Sequence, residues 1–310
     1  MPSPGEPEKK QAKPRQDSGP TGPQFGPERR FERGRTTIIL RNEDCLRGVA
    51  ALGRPVDVIV TSPPYNLGIR YGRYDDSVSR ETYLAWMAEW AAAMKEALSD
   101  DGSLFLNVAG KPTDPMVPFE VLNVVSRYFK LQNVIHWVKS IAISKEDAGD
   151  YPNILGDITV GHYKPIHSPR FLNDCHEYIF HLSKTGRVPL DRLAVGVPYQ
   201  DKSNVGRWPG ASRDLRCRGN TWFIPYETIH DRAAQRPHPA SFPVKLPTMC
   251  VKLHGLQRAR LVVDPFLGIG PSAVACLRLG VDFVGFEIDR VYFDQACAAV
   301  EAELARLGPG

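Results

Sequence analysis

The chain has 310 residues, 42% hydrophobic and 24% charged, which excludes disorder throughout and describes one large or two modest globular domains. Its 39 Lys and Arg against 35 Asp and Glu give +4, but residues 1–35 hold eight basic and five acidic side chains, so the body is nearly neutral. No apolar run approaches the roughly 18 residues of a membrane helix, the amino terminus lacks a hydrophobic signal core, and six widely spaced cysteines without a C-x-x-C pair point to reduced thiols in a cytoplasmic protein, with no metal site.

Met1 to Arg35 contains seven prolines, five glycines and almost no large apolar residue besides Phe25 and Phe31, the composition of a flexible, weakly basic tail. Order is expected from Thr36-Thr37-Ile38-Ile39-Leu40, a β-branched run, and then at Val56 to Val60 and Ser103 to Val108, each short and apolar enough for a buried strand. Between the last two, Tyr83, Trp86, Met87, Trp90, Met94 and Leu98 recur at helical spacing from Ser79 onward. A helix separating two buried strands predicts a βαβ crossover and a parallel sheet.

A second helix is expected from Val117 to Tyr128 and a strand from Gln132 to Val138. Lys139 to Arg170, punctuated by Gly, Pro and Asp, reads as a long loop over a site. Asn173 to Ser183 returns to a strand pattern. Lys184 to Asn220 then carries eight basic residues against Asp191, Asp201 and Asp214, a local +5 with scattered glycines that suggests an irregular insertion facing a polyanion. Near the carboxyl end, Arg260 to Asp264 is a predicted strand, Pro271 to Leu279 a helix, Val281 to Glu287 a strand, and Tyr292 to Leu307 the closing helix. The fold class is α/β, with a mostly parallel sheet and helices on both faces.

Two constellations carry the chemistry. In Asp264-Pro265-Phe266-Leu267-Gly268-Ile269-Gly270 a strand runs into a Gly-rich turn and a helix, where the backbone approaches a ligand closely and free N–H groups face it. Glu287, 23 residues beyond Asp264, stands where an acid grips both ribose hydroxyls in nucleotide-binding sheets. The absent third glycine argues against a pyrophosphate and hence a nicotinamide dinucleotide; a nucleoside without phosphates fits better, and tight packing alone also accounts for a G-x-G turn. The second constellation, Thr61-Ser62-Pro63-Pro64-Tyr65-Asn66, follows the Val56–Val60 strand at the sheet edge where open α/β sheets place ligands. Its two prolines stiffen the turn and remove two donors. Ser62 and a prolyl carbonyl there suit an amino group on a planar ring, with Tyr65 to stack on the ring; a stiff loop with a surface tyrosine is the bland alternative.

At these residues the sequence resembles the amino-methylating DNA methyltransferases that use S-adenosylmethionine. Ser62, Pro63, Pro64 and Tyr65 look like their catalytic loop, and the Asp264–Gly270 segment like their cofactor loop. Ile269 and Pro271 depart from the usual small hydroxyl residue and threonine. The catalytic loop precedes the cofactor loop with the basic insertion between them, as in the β-type circular permutation. His238-Pro239-Ala240-Ser241-Phe242-Pro243 resembles the segment at the methionine end of the cofactor, and His176-Glu177-Tyr178-Ile179 the strand before the recognition region.

The resemblance implies a permuted Rossmann-like fold, with a tail at 1–35, a catalytic part at 36–183, a target-recognition insertion at 184–220 and a cofactor-binding part at 221–310. It implies S-adenosylmethionine held by Asp264, Phe266, Gly268, Gly270, Glu287, Ser241 and Phe242. Asp44 either bonds the cofactor or caps the strand end, and Lys245 either meets the cofactor carboxylate or stays solvated. Double-stranded DNA would be contacted by Lys184, Arg187, Lys202, Arg207, Arg213, Arg216 and Arg218 and the target base flipped out. Ser62, where other members carry Asp, favours N4 of cytosine over N6 of adenine. A homodimer and a cognate restriction endonuclease are further partners to expect, and an inactive DNA-binding regulator is the rival without catalysis.

Overall fold

The structure is a computed structural model that describes residues 26–66, 78–151, 153–161, 167–207, 213–225, 241–308 and 310. The expectations placed on residues 1–25, on Trp208 and Gly210, and on His238 to Ala240 lie outside the described residues.

The chain enters as a hairpin, β1 (Glu28–Arg33) and β2 (Thr36–Arg41), with Arg33 opposite Thr36 across Gly34, whose φ of 57° suits glycine at a tight turn. This corrects the expectation of a flexible tail up to Arg35. Composition averaged over 35 residues hid one strand whose single large apolar side chain, Phe31, is buried among Ile38, Phe293 and their neighbours. Its other side chains are charged, as suits an edge strand: Arg29 pairs with Glu301 at 2.6 Å and Glu28 with Arg41 at 2.8 Å.

After α1 (Cys45–Ala50) come β3 (Val56–Thr61), α2 (Arg80–Ala97), β4 (Leu98–Val108), α3 (Val117–Val125) and β5 (Lys130–Val138). The Ser79 hydroxyl caps α2 by accepting from the Thr82 N–H at 3.2 Å. The expected long loop is instead partly structured: β6 (Ile141–Ile143), α4 (Lys145–Ala148) and β7 (Ile158–Val160) build a small antiparallel ribbon with Ile141 opposite Val160. Strands of three residues are too short to show a period. Then follow β8 (His176–Ser183), β9 (Thr221–Phe223), α5 (Lys245–His254), β10 (Leu261–Asp264), α6 (Pro271–Leu279), β11 (Asp282–Phe286) and α7 (Arg290–Leu307). Among the described residues, 184–220 holds only a short 3-10 turn and one isolated bridge, Val197 to Arg216, in keeping with an irregular insertion.

The nine-stranded sheet runs β1-β2-β11-β10-β3-β4-β8-β5-β9. From β2 through β4 every pairing is parallel, whereas β8 lies antiparallel to both β4 and β5. Alternation along the strands feeds two cores. Val58, Val60, Phe105 and Val262 face one, built with α5, α6 and α7; Ile59, Leu104, Leu106 and Val263 face the other, built with α1, α2 and α3. The helices therefore cover both faces, and the mostly parallel α/β reading of the sequence holds. All six cysteines are free thiols. No helix among the described residues is long and apolar enough to cross a membrane.

Candidate active site

β3 and β10 are neighbours in parallel register, Val58 opposite Val262 and Ile59 opposite Val263. The strand order reverses between them, with β11 beyond β10 and β4 beyond β3. Open parallel sheets bind ligands at such a switch point, outside the carboxyl ends of the strands. Here those ends carry the two loops singled out in the sequence, and one cavity is lined by both: Ser62, Pro63, Pro64 and Tyr65 on one side, Phe266, Gly268 and Glu287 on the other. Asp44, Ser241 and Phe242 complete its wall.

Asp264 lies beneath the cavity, fully buried, and joins the two loops. Thr61 Oγ1 donates to its Oδ1 at 2.7 Å, Ser272 Oγ donates to its Oδ2 at 2.7 Å, and the Phe266 N–H reaches Oδ1 at 3.1 Å. One carboxyl thus ties the last residue of β3 to the turn after β10 and to the first turn of α6. Burial pushes this carboxyl up to about 6 despite those donors.

The glycine turn wraps around Glu287. The Gly268 N–H donates to Glu287 Oε2 at 2.8 Å and the Asp289 N–H to Oε1 at 2.8 Å, so the carboxyl is held in one orientation at the cavity wall. Burial raises it to about 7, against the lowering effect of those N–H groups. Gly270 supports the turn from behind with φ 87°, and a Cβ there would stand 3.1 Å from the Cβ of Ala296 on α7. Phe266 is set by α2: its ring centroid lies 5.6 Å from that of Trp86 and 5.9 Å from that of Trp90.

Asp44 caps α1, its Oδ1 accepting from the Leu46 N–H at 2.9 Å and the Arg47 N–H at 3.3 Å, while the residue also lines the cavity. The cap expected at the end of the first strand is thus the amino-terminal cap of α1, which leaves the residue at the cavity wall. Lys245 is the exposed first residue of α5 and does not line the cavity.

The catalytic-type loop is anchored from outside the motif. Tyr83 on α2 donates its hydroxyl proton to the Pro64 carbonyl at 2.8 Å, and both Pro63 and Pro64 line the cavity. Ser62 Oγ and Tyr65 OH lie 2.5 Å apart, and Tyr65 OH donates to Glu177 Oε2 at 3.2 Å. Asn107 Nδ2, at the end of β4, donates to Tyr65 OH and to Glu177 Oε2, both at 2.7 Å, and Lys139 Nζ pairs with Glu177 Oε1 at 3.0 Å.

Sequence reasoning did not assign a role to Asn107, Glu177 or Lys139. Glu177 lies in a segment with family resemblance, but its place in β8 gives no sign of the loop it meets in space. Cavity-lining Trp86 reads in the sequence as part of an apolar helix face, and Ile288 and Tyr292 carry no motif.

The basic residues sit on irregular backbone. Arg187, Arg207, Arg213 and Arg216 are exposed. Lys184 pairs with Asp100 at 3.1 Å, Lys202 with Asp214 at 2.6 Å, and Arg218 Nε donates to the Val195 carbonyl at 2.9 Å. The insertion is tied to the core where the Asp191 N–H donates to the carbonyl of Leu253 on α5 at 2.8 Å.

Comparison with known proteins gives this arrangement a family. The type II methyltransferase M.HpaI of Haemophilus parainfluenzae is 25% identical over 251 residues, which cover 80% of this chain and 69% of that one. The solved PvuII DNA methyltransferase, described as cytosine-N4-specific, superposes with a TM-score of 0.60 at 17% identity, over 92% of this chain and 96% of its own. TTHA0409 of Thermus thermophilus, solved in complex with S-adenosyl-L-methionine, gives a TM-score of 0.51 at 21% identity, over 85% of this chain and 93% of its own. With residues 56–298 matching the N6/N4 methyltransferase model described as DNA methylase, a span that holds both loops of the cavity, this chain belongs to that DNA methylase family.

Proposed function

We propose that this protein transfers a methyl group from S-adenosylmethionine to N4 of a cytosine flipped out of duplex DNA. The observation that carries the reading is a single cavity walled on one side by Ser62-Pro63-Pro64-Tyr65 and on the other by the glycine turn, Phe266 and Glu287.

The donor set fits the cofactor. Glu287, oriented by two backbone N–H groups, offers its carboxylate to the ribose hydroxyls; Phe266 and Phe286 give apolar surface for the adenine; Ser241 and Phe242 face the methionine end, and Asp44 closes the wall. When bound, S-adenosylmethionine supplies an electrophilic methyl on a sulfonium. Asp264 does not line the cavity and acts by holding the two loops in register. Gly270 lets the turn pack on α7. Lys245, exposed on α5, is left without a place in the site.

The exocyclic amino nitrogen of cytosine is a poor nucleophile because its lone pair is conjugated with the ring. Ser62 Oγ and the Pro63 carbonyl accept hydrogen bonds from its two N–H groups, which favours a more tetrahedral nitrogen whose lone pair is available for the new bond; that bond would form as the methyl–sulfur bond breaks to leave a neutral thioether, and one amino proton would pass to solvent. The ring of Tyr65 lines the same cavity as a face for the extruded base. Arg187, Arg207, Arg213 and Arg216, together with Lys184, Lys202 and Arg218, supply phosphate and base contacts from the 184–220 insertion. Serine at position 62 supports cytosine over adenine, and the type II relatives support a role as modification partner of a restriction endonuclease.

The test is incubation with labelled S-adenosylmethionine and mixed-sequence duplex DNA, followed by digestion to nucleosides and chromatography. Label in N4-methylcytosine is the expected outcome. Label in N6-methyladenine overturns the base assignment, and absence of label with cofactor bound overturns the transfer itself.

A further inference from the structure

We infer that Glu177, acting through Tyr65, fixes Ser62 as a hydrogen-bond acceptor toward the cavity and so makes the site select a base that presents an amino group over one that presents a carbonyl. The inference rests on the methyl-acceptor reading above and assigns a specificity-determining role to a residue that does not line the cavity.

The argument follows the protons. Tyr65, Asn107 and Glu177 are 7%, 2% and 8% exposed, so a contact between two acceptors or two donors here has no water to relieve it. Glu177 is paired with Lys139 at 3.0 Å, and as a carboxylate it only accepts. The Asn107 amide must turn its NH2 toward Glu177 Oε2, 2.7 Å away, because the opposite orientation would press its carbonyl oxygen against the carboxylate. Its second N–H then points at Tyr65 OH, also 2.7 Å away, and Tyr65 accepts there.

One phenolic proton remains, and among the described residues two oxygens stand within reach of it: Glu177 Oε2 at 3.2 Å and Ser62 Oγ at 2.5 Å. If the proton faced Ser62, the Tyr65 oxygen would meet the carboxylate with nothing between them. If it faces Glu177, Ser62 donates its own proton to Tyr65, and the contacts of the phenol with Asn107, Glu177 and Ser62 each carry a proton, one of them to a charged acceptor. Ser62 is then left with lone pairs alone toward the cavity. An amino group meets an acceptor there, whereas a carbonyl oxygen meets another oxygen. The serine hydroxyl, which by itself donates or accepts equally well, thus acquires a fixed sense from a carboxylate two hydrogen bonds away.

Glu177 is accordingly a positioning residue, and the test reads selectivity rather than turnover. Once sequencing of the methylated product has mapped the target, duplexes are made with the target base, or its deaminated counterpart (uracil for cytosine), opposite an abasic site so that neither base is paired. Wild-type protein is expected to bind the amino base about tenfold or more tightly than the carbonyl base, the cost of one mismatched buried contact. Glu177→Gln removes the obligate acceptor and should bring that ratio toward one while the affinity for S-adenosylmethionine stays at the wild-type level. Tyr65→Phe cuts the same chain while leaving the contacts of Glu177 with Asn107 and Lys139 in place, should likewise bring the ratio toward one, and decides the matter alone if the Gln variant does not fold. The double variant should lose no further selectivity. Selectivity kept at the wild-type ratio in both single variants overturns the inference, as does a wild-type protein that shows none. A wild-type protein that methylates no DNA overturns the proposed function, and this inference with it.

Discussion

Glu287 shows how a single group records its surroundings. Its carboxyl is raised to about 7 by burial, so near neutral pH it is divided between its two forms. Ribose hydroxyls donate to the ionised form, so cofactor binding must draw a proton off Glu287 whenever the pH lies below about 7. Affinity for S-adenosylmethionine should therefore climb by up to about tenfold per pH unit as the pH approaches about 7 from below, and level off above it. Titration calorimetry from about pH 5.5 to about 8.5 checks this, with Glu287→Gln expected to bind weakly and without that slope. A wild-type affinity independent of pH would mean that the carboxyl is not at the ribose. The place of this residue at the cavity wall was legible in the sequence from its position after the next strand. Its raised pKa was not, because that depends on how the glycine turn and β11 close over it.

Among the elements, β1 is the instructive case. Glu28-Arg29-Arg30-Phe31-Glu32-Arg33 has the composition of a solvated segment, and only pairing with β2 and insertion of Phe31 between sheet and α7 make it a strand. Phe31→Ala should cost about 3 kcal/mol in urea denaturation, the usual loss for a core phenylalanine, although a flexible tail would lose nothing. The longer elements could be read directly. Of the α2 stripe, Tyr83, Met87, Trp90 and Met94 are buried as their spacing implies, Trp86 is half-buried at the cavity, and the helix ends where Leu98 opens β4. The ribbon at Ile141–Val160 and helix α5 went unread, the first because three-residue strands carry no period, the second because Val-Lys-Leu-Pro lacks a side-chain cap and puts proline in the first turn.

The whole molecule carries two sets of buried titrating groups with opposite linkage. His181 and His254 both bond Ser103 Oγ, at 3.0 and 2.9 Å, between β8, β4 and α5, and burial holds them down at about 3 and about 4. The unfolded chain binds protons on these histidines from their ordinary value of 6.5 downward and the folded chain does not, so their contribution to stability is lost as the pH falls below 6.5. Asp264 and Glu287 are raised, to about 6 and about 7, so the folded state binds their protons first and their contribution improves as the pH falls through those values. The two effects oppose each other between about pH 6.5 and about 4.5, which predicts a shallow pH profile for the wild type. Glu287→Gln removes one compensating group and should lose about 2 kcal/mol relative to the wild type between about pH 7 and about 5, measured by urea denaturation. Equal slopes in the two proteins would show that the Glu287 carboxyl is not buried in the folded state.

The sequence by itself determined the alternating α/β plan, the two loops that face each other, and the acid at the third strand end. Those features are local: apolar runs select strands, helical spacing selects helices, and glycine and proline shape a turn wherever the chain later lies. Tertiary structure alone decided that Asp264 would clasp Thr61. It likewise brought Asn107, Lys139 and Glu177 from three separate strand ends to one tyrosine hydroxyl and its partners, and it kept Lys245 out of the cavity. Hydrogen bonds between residues 38 to 203 positions apart leave no periodic trace in the chain, because strand order, not sequence spacing, sets which side chains meet.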